Sequence, residues 1–257
     1  MHENMKIKHN IIAIRRDVKY SLDAEQKDKD ILTATIRHLG NDIKMIDESL
    51  FTLQDHADIY LSMGRLPQTL ELLRIKAAEG ALVINTPDSV GACSRKQITK
   101  LMRENDIAMP PVKGAFGYWL KRGDSLAQAD SDVVFCENEE ELALNKAEWQ
   151  KRGIMSFVES AHVPGDLIKF YGVSDHFFRW YRMHDVDQGY DFDIKALQRE
   201  AVRLAKIIGI DVFGGDCIVC QDGHFYLIDF NDWPSFARCK EEAAEAIAQL
   251  VKKNEYI

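Results

Sequence analysis

Residues 214–231 read Gly214-Gly215-Asp216-Cys217-Ile218-Val219-Cys220-Gln221-Asp222-Gly223-His224-Phe225-Tyr226-Leu227-Ile228-Asp229-Phe230-Asn231. Asp222-Gly223 between two apolar runs signals a β-hairpin, because tight hairpin turns need positive backbone angles that these residues tolerate. A two-residue turn pairs Gln221 with His224, and counting back along both strands sets Asp216 directly opposite Asp229. Strand side chains alternate, so Asn231 shares the face of Asp229, while Tyr226, Ile228 and Phe230 are expected on the apolar side. Like charges facing each other across strands repel. A hard cation between them removes that cost, and magnesium favours one or two carboxylates completed by water and phosphate oxygens. Manganese accepts the same donors. Asp216, Asp229 and Asn231 are therefore the predicted metal ligands. The competing reading is a solvent-facing hairpin with its register shifted by one, which separates the two acids.

Upstream, the first third of the chain alternates strand and helix signals. Ile11–Arg15 is a short apolar strand. Residues 24–39 carry Ile31, Leu32, Ile36 and Leu39 at helical spacing and stop at Gly40. Strands are expected at 42–46, 59–63 and 82–85, with a helix opened by Pro67 and closed by Gly80. This pattern predicts a small parallel α/β domain over residues 1–87. No G-x-G-x-x-G follows the first strand, which argues against a dinucleotide site. Arg15 and Arg16 stand where that strand ends, a place where such sheets bind ligands. They and the loop near His56 are candidate substrate contacts, against the simpler reading of solvated side chains.

From residue 88 onward the character changes. Ser94-Arg95-Lys96-Gln97 has the form of a capping box opening a helix to about Asn105. Strands are expected at 118–121, 132–136, 154–159, 166–173 and 177–183. Asn138 caps a helix through Trp149, residues 194–208 form an amphipathic helix closed by Gly209, and a last helix covers 239–251. The predicted architecture is thus a mixed α/β (α+β) chain, with antiparallel sheets in two lobes, about 108–160 and 161–257.

Composition narrows the function. The chain has 257 residues, 46% hydrophobic and 29% charged, with a net charge of −8. The negative balance argues against nucleic acid as a partner, because phosphate neutralisation needs clustered cations. No run is apolar enough to cross a bilayer, and the polar first ten residues resemble no secretory signal, so a cytoplasmic protein is expected. The five cysteines, an odd number, read as reduced thiols. Cys217 and Cys220 lie on a strand segment whose positions i and i+3 face opposite sides, so they are expected to be small core residues rather than a metal pair.

With the hairpin acids in place, the sequence resembles the ATP-grasp superfamily, whose members carry an acid ending a glycine-containing strand and, about a dozen residues on, an acid-x-Asn pair. Here these are Asp216 and Asp229-Phe230-Asn231, followed by Pro234. The family usually has Glu at the second acid, so Asp229 is a shorter variant. The resemblance covers about residues 80–240 in the family's order. It implies that Lys96 is the first phosphate-side lysine and that Trp119-Leu120-Lys121 ends in the second. Phe157-Val158-Glu159 resembles the adenine hinge. Gly165-Asp166-Leu167-Ile168-Lys169 implies Asp166 near the ribose and Lys169 near the nucleotide. Of Arg179 and Arg182, which a strand turns to opposite faces, the family position favours Arg182 beside the transferring phosphoryl group. One departure is the loop 123–130, which holds a single glycine where many members have a glycine-rich flap.

The resemblance implies ATP and Mg2+ as cofactors and three candidate activities. The first is a carboxylate–amine ligase acting through an acylphosphate, the second a small-molecule kinase acting on a hydroxyl, and the third a nucleotide-binding regulator. The acceptor is an unidentified small molecule, and a homodimer is the default oligomer.

Overall fold

The computed structural model describes residues 9–21, 24–40, 43–123, 132–183 and 188–254. The strands are β1 (Ile11–Arg15), β2 (Lys44–Asp47), β3 (Ile59–Ser62), β4 (Leu82–Ile84), β5 (Tyr118–Arg122), β6 (Val133–Cys136), β7 (Phe157–Ala161), β8 (Asp166–Val173), β9 (Phe177–Arg182), β10 (Val212–Val219) and β11 (Phe225–Asp232). The helices are α1 (Glu25–Leu39), α2 (Pro67–Ala78), α3 (Pro87–Ala92), α4 (Arg95–Glu104), α5 (Glu139–Lys151), α6 (Ile194–Ile208) and α7 (Lys240–Asn254). Among the described residues, no helix is long and apolar enough to cross a membrane.

The chain forms two compact units. One contains residues up to Gly91, together with Ile210–Val212 and the segment from Trp233 onward; the other contains Ala92–Gly209 and Phe213–Asp232. A single cut at 87/88 therefore misses the return of the C-terminal segment to the first unit. The physical reason is an apolar face on α7, where Ala243, Ala244, Ile247 and Val251 are buried and the helix packs along α1.

The first unit is built on an all-parallel sheet of order β2-β1-β3-β4. Ile12, Ile14, Ile46, Tyr60, Leu73 and Val83 form one of its core clusters, as expected for strands buried between helices. Asn85 clamps the returning chain: its Nδ2 donates to the Val212 carbonyl at 2.7 Å, and its Oδ1 accepts from the Asp211 and Val212 amides.

The second unit holds two antiparallel sheets, of order β6-β5-β7 and β11-β10-β8-β9. Tyr118, Leu120, Cys136, Leu142, Trp149 and Ile154 make a core between the three-stranded sheet and α5. Ile154 was expected in a strand. Its amide instead closes the end of α5 by donating to the Trp149 carbonyl, and β7 begins three residues later. Asn138 caps α5 as expected, accepting from the Glu141 amide, whereas Ser94 stands at the N-cap of α4 without a side-chain cap bond. In the four-stranded sheet, Phe213 stacks on Phe230, and Phe170 packs against Phe230 at a tilt.

Candidate functional site

The hairpin of β10 and β11 departs from the expected turn and still delivers the expected pair. Its loop has three residues, not two: the Cys220 amide donates to the His224 carbonyl, the Gly223 amide donates to the Cys220 carbonyl, and Gly223 takes a φ of +82°. This is the three-residue loop with a left-handed glycine. It shifts the pairing by one, to Val219 with Phe225 and Cys217 with Leu227. A β-bulge between Cys217 and Asp216 then restores the count, with Ile228 as the extra residue, and Asp216 faces Asp229. The bulge also moves the buried side chain from Tyr226 and Ile228 to Leu227, while Phe230 is buried as expected.

Close strand approach at this point requires Gly215. A Cβ there would meet the Asp229 carbonyl at 2.3 Å and the Phe170 ring at 2.5 Å. Asn231 Nδ2 donates to Asp229 Oδ2 at 3.0 Å, which orients the second acid. On the neighbouring strand, the Lys169 ammonium lies 2.9 Å from Asp216 Oδ1. Across the next pairing Lys169 faces Tyr181. Asp229, Asp216, Lys169 and Tyr181 thus form one row over the four strands.

Burial pushes the Asp216 carboxyl above its ordinary range and Asp229 adds to the shift, with Lys169 opposing both. Its buried Oδ1 has no hydrogen-bond partner among the described residues; the Lys169 contact is an ion pair off hydrogen-bond geometry. Two opposed carboxylates, an amide and a buried carboxylate oxygen lacking a hydrogen bond fit a hard divalent cation. Among the described residues no group of three or more His, Cys, Asp or Glu is placed to hold a metal. The two acids alone would leave a cation such as magnesium to complete its shell with water and phosphate.

Lys121 on β5 reaches this hairpin. Its Nζ donates to the carbonyl of Ile228, the bulged residue, at 3.2 Å. Burial holds its pKa below the ordinary lysine value, Asp229 opposes that shift, and the nearby Arg95 strengthens it. Arg95 opens α4 and donates from Nη1 to the Arg122 carbonyl at 2.8 Å, while its buried Nε has no hydrogen-bond partner among the described residues. Lys96 is exposed instead, and its backbone amide donates to the carbonyl of Gly123, the residue after β5. Helical spacing turns one of two adjacent cations inward, and it is Arg95, which sequence reasoning passed over. The loop 124–130 lies outside the described residues.

A second missed group shares the Lys121 face. Leu120 points to α5, so Trp119 and Lys121 point the other way, and Trp119 pairs with Phe135 across β5 and β6. Trp119, Phe135 and His162 form one aromatic cluster, with Trp119 Nε1 donating to His162 Nδ1 at 3.1 Å. Period-two alternation from Lys121 could have singled out Trp119; nothing local marks His162.

The other expected positions are placed differently. Glu159 faces Leu120 and its carboxylate is ion-paired with Lys146 of α5, on the far side of the sheet from Lys121. Asp166 is buried: it accepts from Arg182 Nη1 at 2.7 Å and from the Gln188 and Tyr190 amides at 2.8 Å. Arg182 also donates to the Tyr190 carbonyl. The two arginines of β9 do take opposite faces, but the register puts Arg179 with Tyr171 on the Lys169 side and Arg182 with Ile168 on the other.

In the first unit, the Arg15 guanidinium lies 2.6 Å from Asp47 and 3.2 Å from Glu25. Arg16 is buried, donating to the Trp233 carbonyl with Asp28 at 3.5 Å. His56 Nδ1 is 3.1 Å from the Lys76 ammonium. Cys217 and Cys239 are buried, Cys220 is half-buried, and the five cysteines form no disulfide with one another. Burial pushes the Cys217 thiol far up, which suits a small core residue.

A preceding parallel α/β unit, then a three-stranded and a four-stranded antiparallel sheet, with lysines and paired acids on their faces, define the ATP-grasp fold, and this chain has it. Among solved structures it is similar to a RimK-domain ATP-grasp protein from Sphaerobacter thermophilus, at a TM-score of 0.67 and 13% identity, covering 93% of this chain and 98% of that one. It is also similar to D-alanine–D-alanine ligase from Bacillus anthracis complexed with ATP, at 0.65 and 14%, covering 96% and 98%. A third is the ATP-grasp ligase PsnB complexed with a precursor peptide and AMPPNP, at 0.63 and 14%, covering 96% and 99%. No family model and no curated protein matches the sequence.

Proposed function

We propose that the protein binds ATP with magnesium and joins a carboxylate to an amine by way of an acylphosphate. The observation that carries this reading is the row of Asp229, Asp216 and Lys169, with Lys121 reaching the bulge of the same hairpin. Asp216, Asp229 and Asn231 would hold the cation, which when bound supplies charge neutralisation to the phosphates. Lys121, Lys169 and Arg95 bind phosphate oxygens. A nucleoside triphosphate carries about four negative charges, so cations from one sheet and metal from the other clamp it and stabilise the transferring group. Trp119, Phe135 and His162, whose rings are inclined to one another, offer aromatic faces and edges against which the base packs. Asp166 and Arg182 act on the nucleotide indirectly, by fixing the backbone at 188–190, and Glu159 contributes through its position on β7. The RimK-domain neighbour is an ATP-grasp protein, and the other two are ligases solved with ATP and AMPPNP. Their names support ligation as the chemistry of this site.

The test is ADP release in the presence of magnesium, with carboxylic acids and amines offered singly and together. A ligase releases ADP in step with product only when both are present. Asp229→Ala is expected to abolish turnover while the thermal melt stays near that of the parent. Release driven by a hydroxylated acceptor alone would identify a kinase and overturn the ligase reading.

A further inference from the structure

In this structure Asp216 already holds a cation. The Lys169 ammonium stands 2.9 Å from Oδ1, and the two side chains are 35% and 22% exposed. Water therefore screens the pair only partly, and unit charges at this spacing interact far more strongly than at an open surface. Asp229 faces Asp216 directly, and the field of both acids reaches Lys121. Two carboxylates and two ammonium groups cancel one another and Arg95 adds a positive charge beside Lys121, so the patch holds no net negative charge with no metal present.

A bare dication meets that patch at a disadvantage. To use Asp216 it must displace the Lys169 ammonium, which is left half-buried beside a doubly charged ion with no new partner. A metal–nucleotide complex meets a different situation, because its phosphate oxygens accept from the displaced ammonium through charge-assisted hydrogen bonds. We infer that Lys169 is a tethered counter-ion occupying the metal's place on Asp216, so that the divalent cation binds strongly only together with the phosphates that take this ammonium over. The inference rests on the ATP-and-magnesium reading of the same residues. It adds that the ligand recognised is the metal–nucleoside triphosphate complex as a unit, and that free metal followed by free nucleotide is the disfavoured order.

Lys121 provides the internal reference. It carries the same unit charge near the same acids, yet it bonds the Ile228 carbonyl and makes no ion pair with either carboxylate. Loss of Lys121 changes the field alone, whereas loss of Lys169 also frees a ligand oxygen.

The experiment titrates Mn2+ into nucleotide-free parent, Lys169→Met, Lys121→Met and Asp216→Asn proteins, following free Mn2+ by its electron paramagnetic resonance signal. The titrations are then repeated with AMPPNP. Lys169→Met is expected to bind Mn2+ alone at least about tenfold tighter than the parent, a unit-charge effect at short range, and to bind Mn2+ with AMPPNP more weakly. Lys121→Met should tighten Mn2+ alone by less than about threefold, a field effect without a freed ligand. Adding Asp216→Asn to Lys169→Met should erase the gain. Lys169→Gln serves as a second variant, with thermal melts confirming that each protein is folded. If Lys169→Met and Lys169→Gln bind Mn2+ alone no tighter than the parent, or if Lys121→Met tightens it equally, the inference is wrong. In that event, parental binding of Mn2+ with AMPPNP would leave the proposed function standing. If no protein binds Mn2+ with or without AMPPNP, both fall together.

Discussion

Replacing Lys121 with Met separates binding from folding at the centre of the site. The ammonium is costly to bury: desolvation lowers its pKa, and the neighbouring Arg95 adds to the effect. In return it makes, among the described residues, one hydrogen bond, to the Ile228 carbonyl. Losing that bond costs about 1 kcal/mol, and removing a poorly solvated charge in favour of an apolar side chain of similar length returns a comparable amount. The unfolding free energy of Lys121→Met in urea should therefore lie within about 1 kcal/mol of the parent. Nucleotide binding has no such compensation. A hydrogen bond from an ammonium to a phosphate oxygen contributes about 1.5–3 kcal/mol, or roughly 10- to 150-fold in affinity. Calorimetry with Mg2+ and AMPPNP on both proteins measures this directly. A loss in affinity below about threefold would refute the role assigned to Lys121. So would a fall in stability above about 2 kcal/mol, because the ammonium would then be holding the hairpin rather than awaiting a ligand.

Arg95→Gln should weaken Mg2+–AMPPNP binding on the order of tenfold, whereas Lys96→Gln should change it by less than about threefold. Equal effects in the same calorimetric assay would show that both cations reach the phosphates. In the first unit, the buried Tyr60 hydroxyl donates to the Asp55 carbonyl at 2.7 Å and accepts from the Ala57 amide at 2.9 Å. Burial holds its pKa above 10.0. Above that pH the unfolded chain releases the phenol proton first, so the contribution is complete below about pH 10 and is lost as pH climbs through the folded value. Tyr60→Phe should cost about 1 kcal/mol at neutral pH, and urea melts at about pH 9 and about pH 11 should show the gap to the parent narrowing. A constant gap would place the phenol in contact with water.

Much of this architecture was legible because local signals agreed with the final packing. β8 and α6 run over Asp166–Val173 and Ile194–Ile208, the ranges that alternation and amphipathic spacing predicted. The contacts that local signals do not reveal are those a distant partner decides. Nothing near Glu159 announces that Lys146, on a helix earlier in the chain, will take its carboxylate. Arg182 has a cross-strand neighbour that claims it, Asp166, sixteen residues away across the β8–β9 pair. The Ser94 signal was correct about where α4 begins and wrong about the hydroxyl, because Asn138 shows the side-chain bond that a working cap makes and Ser94 lacks it. The docking of α7 on α1 depends on an apolar face reading as an ordinary amphipathic helix until its partner, some two hundred residues upstream, is known.

The facing of Asp216 and Asp229 was reached from the sequence by two errors that cancel, and the cancellation bears on function. A two-residue turn with regular strands would have paired the acids, and so does a three-residue turn followed by a one-residue bulge. Only the second arrangement takes the Ile228 carbonyl out of the regular ladder, and that carbonyl receives the Lys121 ammonium. The bulge also moves the buried position to Leu227, whose amide donates to the Ala108 carbonyl. A regular hairpin would therefore supply the same two carboxylates without the anchor for the lysine that faces them. The extra residue is what brings a cation from one sheet to the acids of the other, and Asp216, Asp229 and Lys121 are consequently positioned by the same local irregularity.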